Sequence, residues 1–596
     1  MELAHKRLNK LRALAAFSPD ALSSIAYANQ EIFLGLVMAG SAGLLFSFPI
    51  GLTIAVLLFI VALSYYQTLH GYPSGGGSYI VARSNLGDVP GLVAGAALMI
   101  DYVLTAAVSL TAGVEAIASA FPILWDYRTE SALFLLAIIT LINLRGIQES
   151  GTTMAVPVYL FLFTYIGMLL YGFIRALIDG PGSFAVTAPS ATEPLAVFLV
   201  LRAFASGSTA LTGIEAISNG VPAFKPPEAD NAGKTLIAMA LLMGFLFVSS
   251  LGLTQYFAVV AGPEETILSA LARRILGGGL GYFVIQTTTL LILAVAANTS
   301  FMDFPRLASI MAKDGFLPRQ LYNLGDRLVF TNGMLMLSGM AAALIIAFQG
   351  DSHSLVPLFA VGAFLSFTMS QSGMVIHWLR ERGSNWRLKS FINGLGAFTT
   401  AITLVVVALA KFMTGAWFVL VLIPTLVVVF MKIKSHYQEV AHELTLRGLP
   451  PSLRPAPPLR LVIPISGVHR AVIDAVNYAR SISDDLTALY IEIEPGSGEI
   501  IRERWREWFP DLPLTVISSP YRSIVGPLLD FLDRYDLQCN DGRLAAVVLP
   551  EIVPAKPWQT FLHNQSAWLI KATLIYRRRM HGYQRVIIDV PFHLKR

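Results

Sequence analysis

Charge and cysteine are what this chain has least of. Only 14% of its 596 residues are Asp, Glu, Lys or Arg, against 55% hydrophobic, and the mean hydropathy is +0.62. Soluble domains carry about 25% charged residues, so most of this chain must face lipid or other apolar helices. The single cysteine, Cys539, excludes an intramolecular disulfide and a Cys-x-x-Cys metal site. The basic N-terminus is not followed by a short apolar core ending in small residues, so no cleavable leader is expected. A phosphate loop is missing as well. The glycine-rich YPSGGGSYIVARSNLG, residues 72–87, lacks the Gly-Lys-Ser/Thr ending and a preceding strand, and reads as a loop packed tightly against helices. No nucleophile–base pair or metal-ligand set stands out, which argues against an enzyme. His353 and His377 fall near the ends of apolar runs and read as structural.

What is present is a series of apolar windows of about 19 residues, roughly twelve in number, ending near Lys432. Their centres lie near residues 30, 54, 105, 138, 164, 208, 245, 290, 340, 366, 403 and 422. Lys6, Arg7, Lys10 and Arg12 precede the first run. With twelve spans, the loops on that side also collect Arg145, Lys225, Lys313, Arg319, Arg380 and Lys389. The opposite side has chiefly Arg128, Arg175, Arg273 and Arg274, mixed with Asp126, Glu264 and Glu265. This bias predicts a multi-pass protein of the cell membrane with both termini cytoplasmic. The net charge of +5 then reflects topology, not nucleic-acid binding.

Past Lys432 the texture is that of soluble protein. Residues 1–432 read as a transmembrane domain, 433–458 as a linker and 459–596 as a cytoplasmic domain. Pro450, Pro451, Pro455, Pro457 and Pro458 mark the linker as a semi-rigid spacer. Beyond it, apolar β-branched runs alternate with helical patterns, which predicts an α/β domain with a parallel sheet of about five strands.

Three polar clusters interrupt the apolar runs. FSPDALSSIAYANQEI, residues 17–32, puts Asp20 and several hydroxyls at the start of the first run. IDYVLTAAVS sets Asp101, Thr105 and Ser109 at i, i+4 and i+8, one helix face, with Tyr102 beside them. SGSTALTGIEAISNG crowds Thr212, Gly213, Glu215 and Asn219 into the sixth run. A mid-bilayer carboxylate costs at least about 3 kcal/mol unless paired or wet, so Asp101 and Glu215 mark function, and acids among hydroxyls with no lysine suggest a cation pathway. The hydroxyls alone are equally suited to joining helices. The first and sixth runs, five apart, are the interrupted ones. An inverted repeat of five plus five helices, the first of each unwound near the midplane, would produce that pattern.

These stretches resemble the amino acid–polyamine–organocation superfamily, through the proline–glycine loop after the second run, the Gly-Ile-Glu of the sixth and KDGFLP at residues 313–318. Within it, SPDALSSIAYA, IDYVLTAAVS and LTGIEAISN are similar to the KimA-type potassium importers. So are SSPYRSIVGP, LHNQSAWLIK and VIIDVPFHL of the last domain, which resembles universal stress proteins. The resemblance implies a LeuT-like bundle and proton-coupled potassium uptake. It implies ion binding at Asp101, Tyr102, Thr105, Ser109 and Thr212, proton coupling at Glu215, and a pathway or gate role for Asp20 and Tyr27. It also implies a homodimer joined through the cytoplasmic domains and inhibited by cyclic di-AMP, for which Ser519, Tyr521 and Arg522 offer a hydroxyl, a stacking ring and a phosphate-pairing guanidinium. No other cofactor is expected, and the glycine-rich ATP signature of many universal stress proteins is missing after AAVVLPE. One departure is Asn29-Gln30, where relatives often carry Thr-Glu.

Two rivals remain on sequence grounds. A proton-coupled amino acid transporter of the same fold would hold its substrate carboxylate on a glycine-rich break in the first span, and no glycine lies between Pro19 and Glu31. A membrane-tethered nucleotide sensor would bind cyclic di-AMP without flux.

Overall fold

The structure is a computed structural model that describes residues 7–73, 75, 77–146, 151–323, 330–445, 458–519, 523–555, 566–583 and 585–594. The chain divides into two compact units, Met1–Thr445 and Leu446–Arg596.

The first unit is helical over its described residues, with one isolated bridge between Leu8 and Phe224. Among its described residues nine helices are long and apolar enough to cross a membrane. Helical segments cover all twelve predicted centres, including the shorter Arg128–Leu144 and Thr331–Ala347. The Asp88–Ala120 helix lies at the middle of the unit, with 94% of its apolar window buried. Its alanines and glycines let neighbours approach backbone to backbone. It packs against Leu280–Lys313 and Ser352–Glu381.

The sixth run is unwound as expected. Val197–Gly207 is α-helical, Ser208–Leu211 tightens to a 3-10 turn, Thr212 is extended and Gly213 has φ +81°. The helix resumes at Glu215–Asn219. The first run departs from expectation. Its polar stretch is one continuous helix, Pro19–Val37, and the break sits ahead of it at the buried Ser18, after Lys10–Phe17. Proline at the first helical position explains this, because it starts a helix well but supplies no N–H to continue one. The spacer needs correction too. The last membrane helix is Ala416–Glu443, so residues 433–443 are helical. The run KSHYQEVAHE holds no glycine or proline to stop it.

The second unit has the predicted sheet. Strands β1 (Leu461–Ile465), β2 (Leu486–Glu492), β3 (Leu514–Ser518), β4 (Ala546–Val553) and β5 (Ile587–His593) are all parallel, in the order β3-β2-β1-β4-β5. Helices Arg470–Arg480 and Ser497–Trp508 carry one apolar layer, centred on Val472, Val476 and Trp505. Val525–Cys539 and Ser566–His581 carry the other, centred on Leu528, Leu532, Ile570 and Leu574. Strand order reverses between β1 and β4, while β3 and β5 are edges. Arg585 leads into β5 with its side chain only 7% exposed, donating to Asp536 and to the Ala545 carbonyl, each at 2.6 Å. Removing one partner of such a pair strands the other charge. Arg585→Met is therefore expected to destabilise this unit by about 3 kcal/mol, and hydrogen exchange on the full-length protein should show β4 and β5 losing protection while the membrane helices keep theirs.

Candidate cation site in the membrane unit

The unwound sixth run settles onto the first turn of Pro19–Val37. A Cβ placed on Gly213 would stand 2.9 Å from the Cβ of Asp20, so glycine is needed both for its φ and for this approach. Ser24 Oγ donates to the Ala210 carbonyl at 3.0 Å, and Tyr27 Oη lies 3.5 Å from Thr212 Oγ1. These contacts tie the first helix to the break.

Glu215 opens the short helix beyond the break and is 3% exposed. Three hydroxyls from three other helices converge on its Oε2: Ser78 at 2.9 Å, Tyr65 at 3.4 Å and Ser366 at 3.4 Å. Among the described residues its Oε1 has no partner. Asp20 and Asp101 are each 5% exposed and among the described residues each keeps Oδ1 unpartnered, as does Thr105 at Oγ1. Asp101 lies within electrostatic reach of both Asp20 and Glu215. Tyr102, next to Asp101, accepts a 3.0 Å hydrogen bond from Asn219. Ser109 is buried two turns along the same helix as Asp101, and among the described residues no hydrogen bond joins it to the cluster. Asp20, Tyr27, Asp101, Tyr102, Thr212 and Glu215 are thus related to one another by contact or electrostatic reach, while Thr105 lies one turn from Asp101 on the same helix.

The arrangement is one-sided. No ion pair among the described residues involves Asp20, Asp101 or Glu215. The buried lysine of this unit, Lys411, lies instead beside Glu31 and Arg202. A buried polar atom without a partner costs about 1–3 kcal/mol, more when charged, and folded proteins rarely keep one. Four unmatched oxygens, on Asp20, Asp101, Thr105 and Glu215, suit a dehydrated monovalent cation, which hydroxyls, carbonyls and carboxylates can coordinate without an over-tight trap. They do not suit an anion.

Sequence reasoning missed Ser78, Tyr65 and Ser366. Ser78 ends the glycine loop that reads as mere packing. The available signal was its glycines: a side chain on Gly77 would collide with Asn219 Oδ1, and Gly75 lies against the Asn219 carbonyl. Tyr65 and Ser366 sit in ordinary apolar runs and carry no such mark. Asn29 donates to Ser250, and Gln30 accepts from the Ile267 amide at 2.5 Å, so both amides hold neighbouring helices. His353 pairs through Nδ1 with Glu31 at 2.9 Å.

In the second unit, Ser519 is buried. Its hydroxyl donates to the Ser523 carbonyl at 2.7 Å and accepts from the Ser523 amide, closing its own loop after the edge strand β3. Tyr521 and Arg522 lie outside the described residues.

Comparison with known proteins finds relatives for both units. Residues 8–431 match the family described as amino acid permease, and residues 458–592 match the KimA potassium transporter C-terminal domain. The chain is 38% identical to the potassium transporter KimA of Bacillus subtilis (strain 168), over 99% of this chain and 96% of that protein. The chain belongs to the KimA family. Its curated relatives are transporters, not enzymes. A vacuolar cationic amino acid transporter of Arabidopsis thaliana, number 4 of its series, is 24% identical over 53% of this chain and 56% of its own length. A manganese transporter from Eremococcus coleocola covers 73% of this chain and 96% of its own, at 13% identity and a TM-score of 0.40, too low to carry an argument.

Glu215→Ala would remove the acceptor shared by three buried hydroxyls, of which Tyr65 and Ser78 retain each other at 3.1 Å, whereas Glu215→Gln keeps an acceptor oxygen. The alanine variant is expected to lose about 2 kcal/mol and the glutamine variant much less, read as the thermal midpoint of the detergent-purified protein.

Proposed function

We propose that the protein imports potassium into the cell by proton symport. The observation that carries this is the set of unmatched oxygens on Asp20, Asp101, Thr105 and Glu215, buried with no basic residue in contact. In this reading Asp101, Tyr102, Thr105, Ser109 and Thr212 receive the ion, with Ser109 further along the path. Asp20 and Tyr27 gate the approach. Glu215 carries the proton, its Oε2 held by three hydroxyls while Oε1 stays free to bind it. A carboxyl that is buried and not ion-paired can change protonation as a cation arrives or leaves, which is what coupling requires.

The same reading takes the membrane unit as twelve spans with a five-plus-five inverted repeat, set in the lipid of the cell membrane with both termini cytoplasmic. Helices at all twelve centres and the break in the sixth run support it. The second unit serves as a universal-stress-protein-like regulatory domain that binds cyclic di-AMP and pairs two copies of the chain. Support for pairing comes from the edge strand β5 and from Trp568, Tyr576 and Met580 on the adjacent helix, each more than 60% exposed.

Proteoliposomes containing the purified protein should show proton influx that requires potassium and disappears in Glu215→Gln, with potassium binding retained. Absence of any potassium-linked flux from folded protein would overturn the assignment, and cationic amino acids would be screened next. Cyclic di-AMP should bind the full-length protein in a calorimeter and inhibit that flux, with Arg522→Ala weakening binding about tenfold, the loss expected for one charged phosphate contact. Unaltered flux at saturating nucleotide would remove the regulatory role.

A further inference from the structure

Lys432 and Lys434 stand two apart near the end of the last membrane helix, and so face different ways. Ala416–Glu443 has 28 residues, about 42 Å of helix, whereas the hydrocarbon core is about 30 Å thick. Counted from Ala416, the lipid boundary therefore falls near Lys432–His436. Lys434 is used within the fold, pairing with Asp88 at 2.9 Å and lying 4.2 Å from the centre of the Phe316 ring. Lys432 instead lines an open groove of about 370 Å³, together with Pro318, Val429, Ile433, His436 and Tyr437. Sites for small molecules have about 300–1,000 Å³, so the groove is large enough for a ligand.

The groove runs from apolar to basic along one helix face. Val429 and Ile433 are one turn apart, and Lys432 and His436 repeat that spacing further out. Pro318 supplies another wall, from the loop after Leu280–Lys313. Beside it, Arg319 lays its guanidinium 4.7 Å from the centre of the Tyr437 ring, and its amide donates to Tyr437 Oη at 3.2 Å. Lys432, Arg319 and the imidazole of His436 thus gather at one end, and among the described residues none of the three enters an ion pair. Nearby acids are already committed, Asp88 to Lys434 and Arg83, Asp314 to Arg83 and Tyr79. Glu439, one turn beyond His436, is not part of the lining and accepts from Ser435 at 3.1 Å.

We propose that this groove holds an anionic phospholipid of the leaflet on the Lys432 side, which is cytoplasmic in the topology argued above. The phosphate sits on Lys432 and Arg319 with His436 at the rim, and the acyl chains run past Ile433 and Val429 into the bilayer. A phosphate diester matches the positive charge left over at this end. A membrane lipid also brings apolar chains to the same spot, whereas free phosphate brings none. Basic residues that only fix topology need no groove beside them. The bound lipid ties the Pro318 loop to the last helix, adding to the Arg319–Tyr437 contact. Only the choice of leaflet rests on the topology reading, and binding is independent of transport.

The test titrates the full chain, purified in a neutral detergent, with phosphatidylglycerol or with phosphatidylcholine of the same acyl chains. The thermal midpoint and the lipid retained in native mass spectrometry are read together. Phosphatidylglycerol should raise the midpoint and stay bound, and phosphatidylcholine should do neither. In the double variant Arg319→Gln, Lys432→Gln the half-maximal phosphatidylglycerol concentration should rise about tenfold or more. Both positions are exposed, so its midpoint without lipid should stay near that of the wild type. Lys432→Arg keeps the charge and should keep the response. Arg380→Gln removes a charge at the end of Ser352–Glu381, outside the groove, and should leave the titration unchanged. An unaltered titration in the double variant, an equal loss in Arg380→Gln, or equal effects of the two lipids would overturn the site. So would protection by inorganic phosphate alone, the mark of a free-anion site, or loss of a dimer in the double variant, which would seat a second copy of the chain there. A wild type without potassium flux would overturn the transport assignment and leave the lipid site standing.

Discussion

Three carboxylates held away from water with no basic partner in contact set the terms for the membrane unit. Desolvating each ion costs several kcal/mol, and one unpaired oxygen on each of Asp20, Asp101 and Glu215 leaves that cost uncompensated within the protein. Neighbouring structure limits the penalty without removing it. Ser78, Tyr65 and Ser366 load one oxygen of Glu215 and leave the other bare. A basic residue in contact would satisfy the acids fully and would also abolish any reason for a cation to enter. The arrangement is stable enough to fold and incomplete enough to bind.

That compromise dictates the backbone around it. A regular sixth helix would carry Thr212 and Glu215 nearly a full turn apart on a continuous hydrogen-bonded cylinder. Opening the chain at Thr212 and Gly213 sets Thr212 against Tyr27 of the first helix, brings the break against Asp20 and leaves Glu215 facing Ser78, Tyr65 and Ser366. Irregular backbone is tolerable at this depth only when buried in protein or lining a cavity, and here all of Ser206–Ser218 is buried. The glycine loop contributes from another direction. Its small residues allow Asn219 to approach, and its last member, Ser78, reaches Glu215. Loop, break and first helix are three answers to one requirement, namely the approach of side-chain oxygen atoms from separate helices.

Much of this is legible in the sequence. A carboxylate in the middle of an apolar run has few structural uses, so Asp101 and Glu215 are marked by their desolvation cost alone, and the i, i+4 spacing adds Thr105. Strand–helix alternation after Lys432 is equally readable, because parallel strands covered on both faces are continuous apolar runs. What stays hidden is anything whose chemistry is common. Tyr65 and Ser366 are ordinary residues of apolar helices until a distant carboxylate turns out to lie within 3.4 Å. The position of the first break is hidden for a different reason. Polar residues suggest unwinding, but Pro19 fixes where a helix begins whatever residues come after it. Residues 433–443 look like spacer because charge rises there, and rising charge marks exit from lipid, not the end of a helix.

The buried acids of the membrane unit also sort themselves by whether their oxygens are matched. Glu31 places both oxygens within 3.1 Å of the half-exposed His353 Nδ1. Glu115 accepts from the Ser352 amide at 2.8 Å and from the Ser352 hydroxyl at 2.5 Å, so it caps the N-terminus of Ser352–Glu381 where the helix dipole favours a negative charge. Both sit at the end of the bundle opposite Asp88 and Lys313, and both are satisfied by the fold itself. Asp20, Asp101 and Glu215 are buried to the same degree, with exposures of 3–5% against 1–7% for the other pair. Burial therefore does not separate the two sets. What separates them is the leftover valence: an acid whose acceptors are all used holds helices together, and one left with a bare oxygen toward its fellows can hold something that comes and goes.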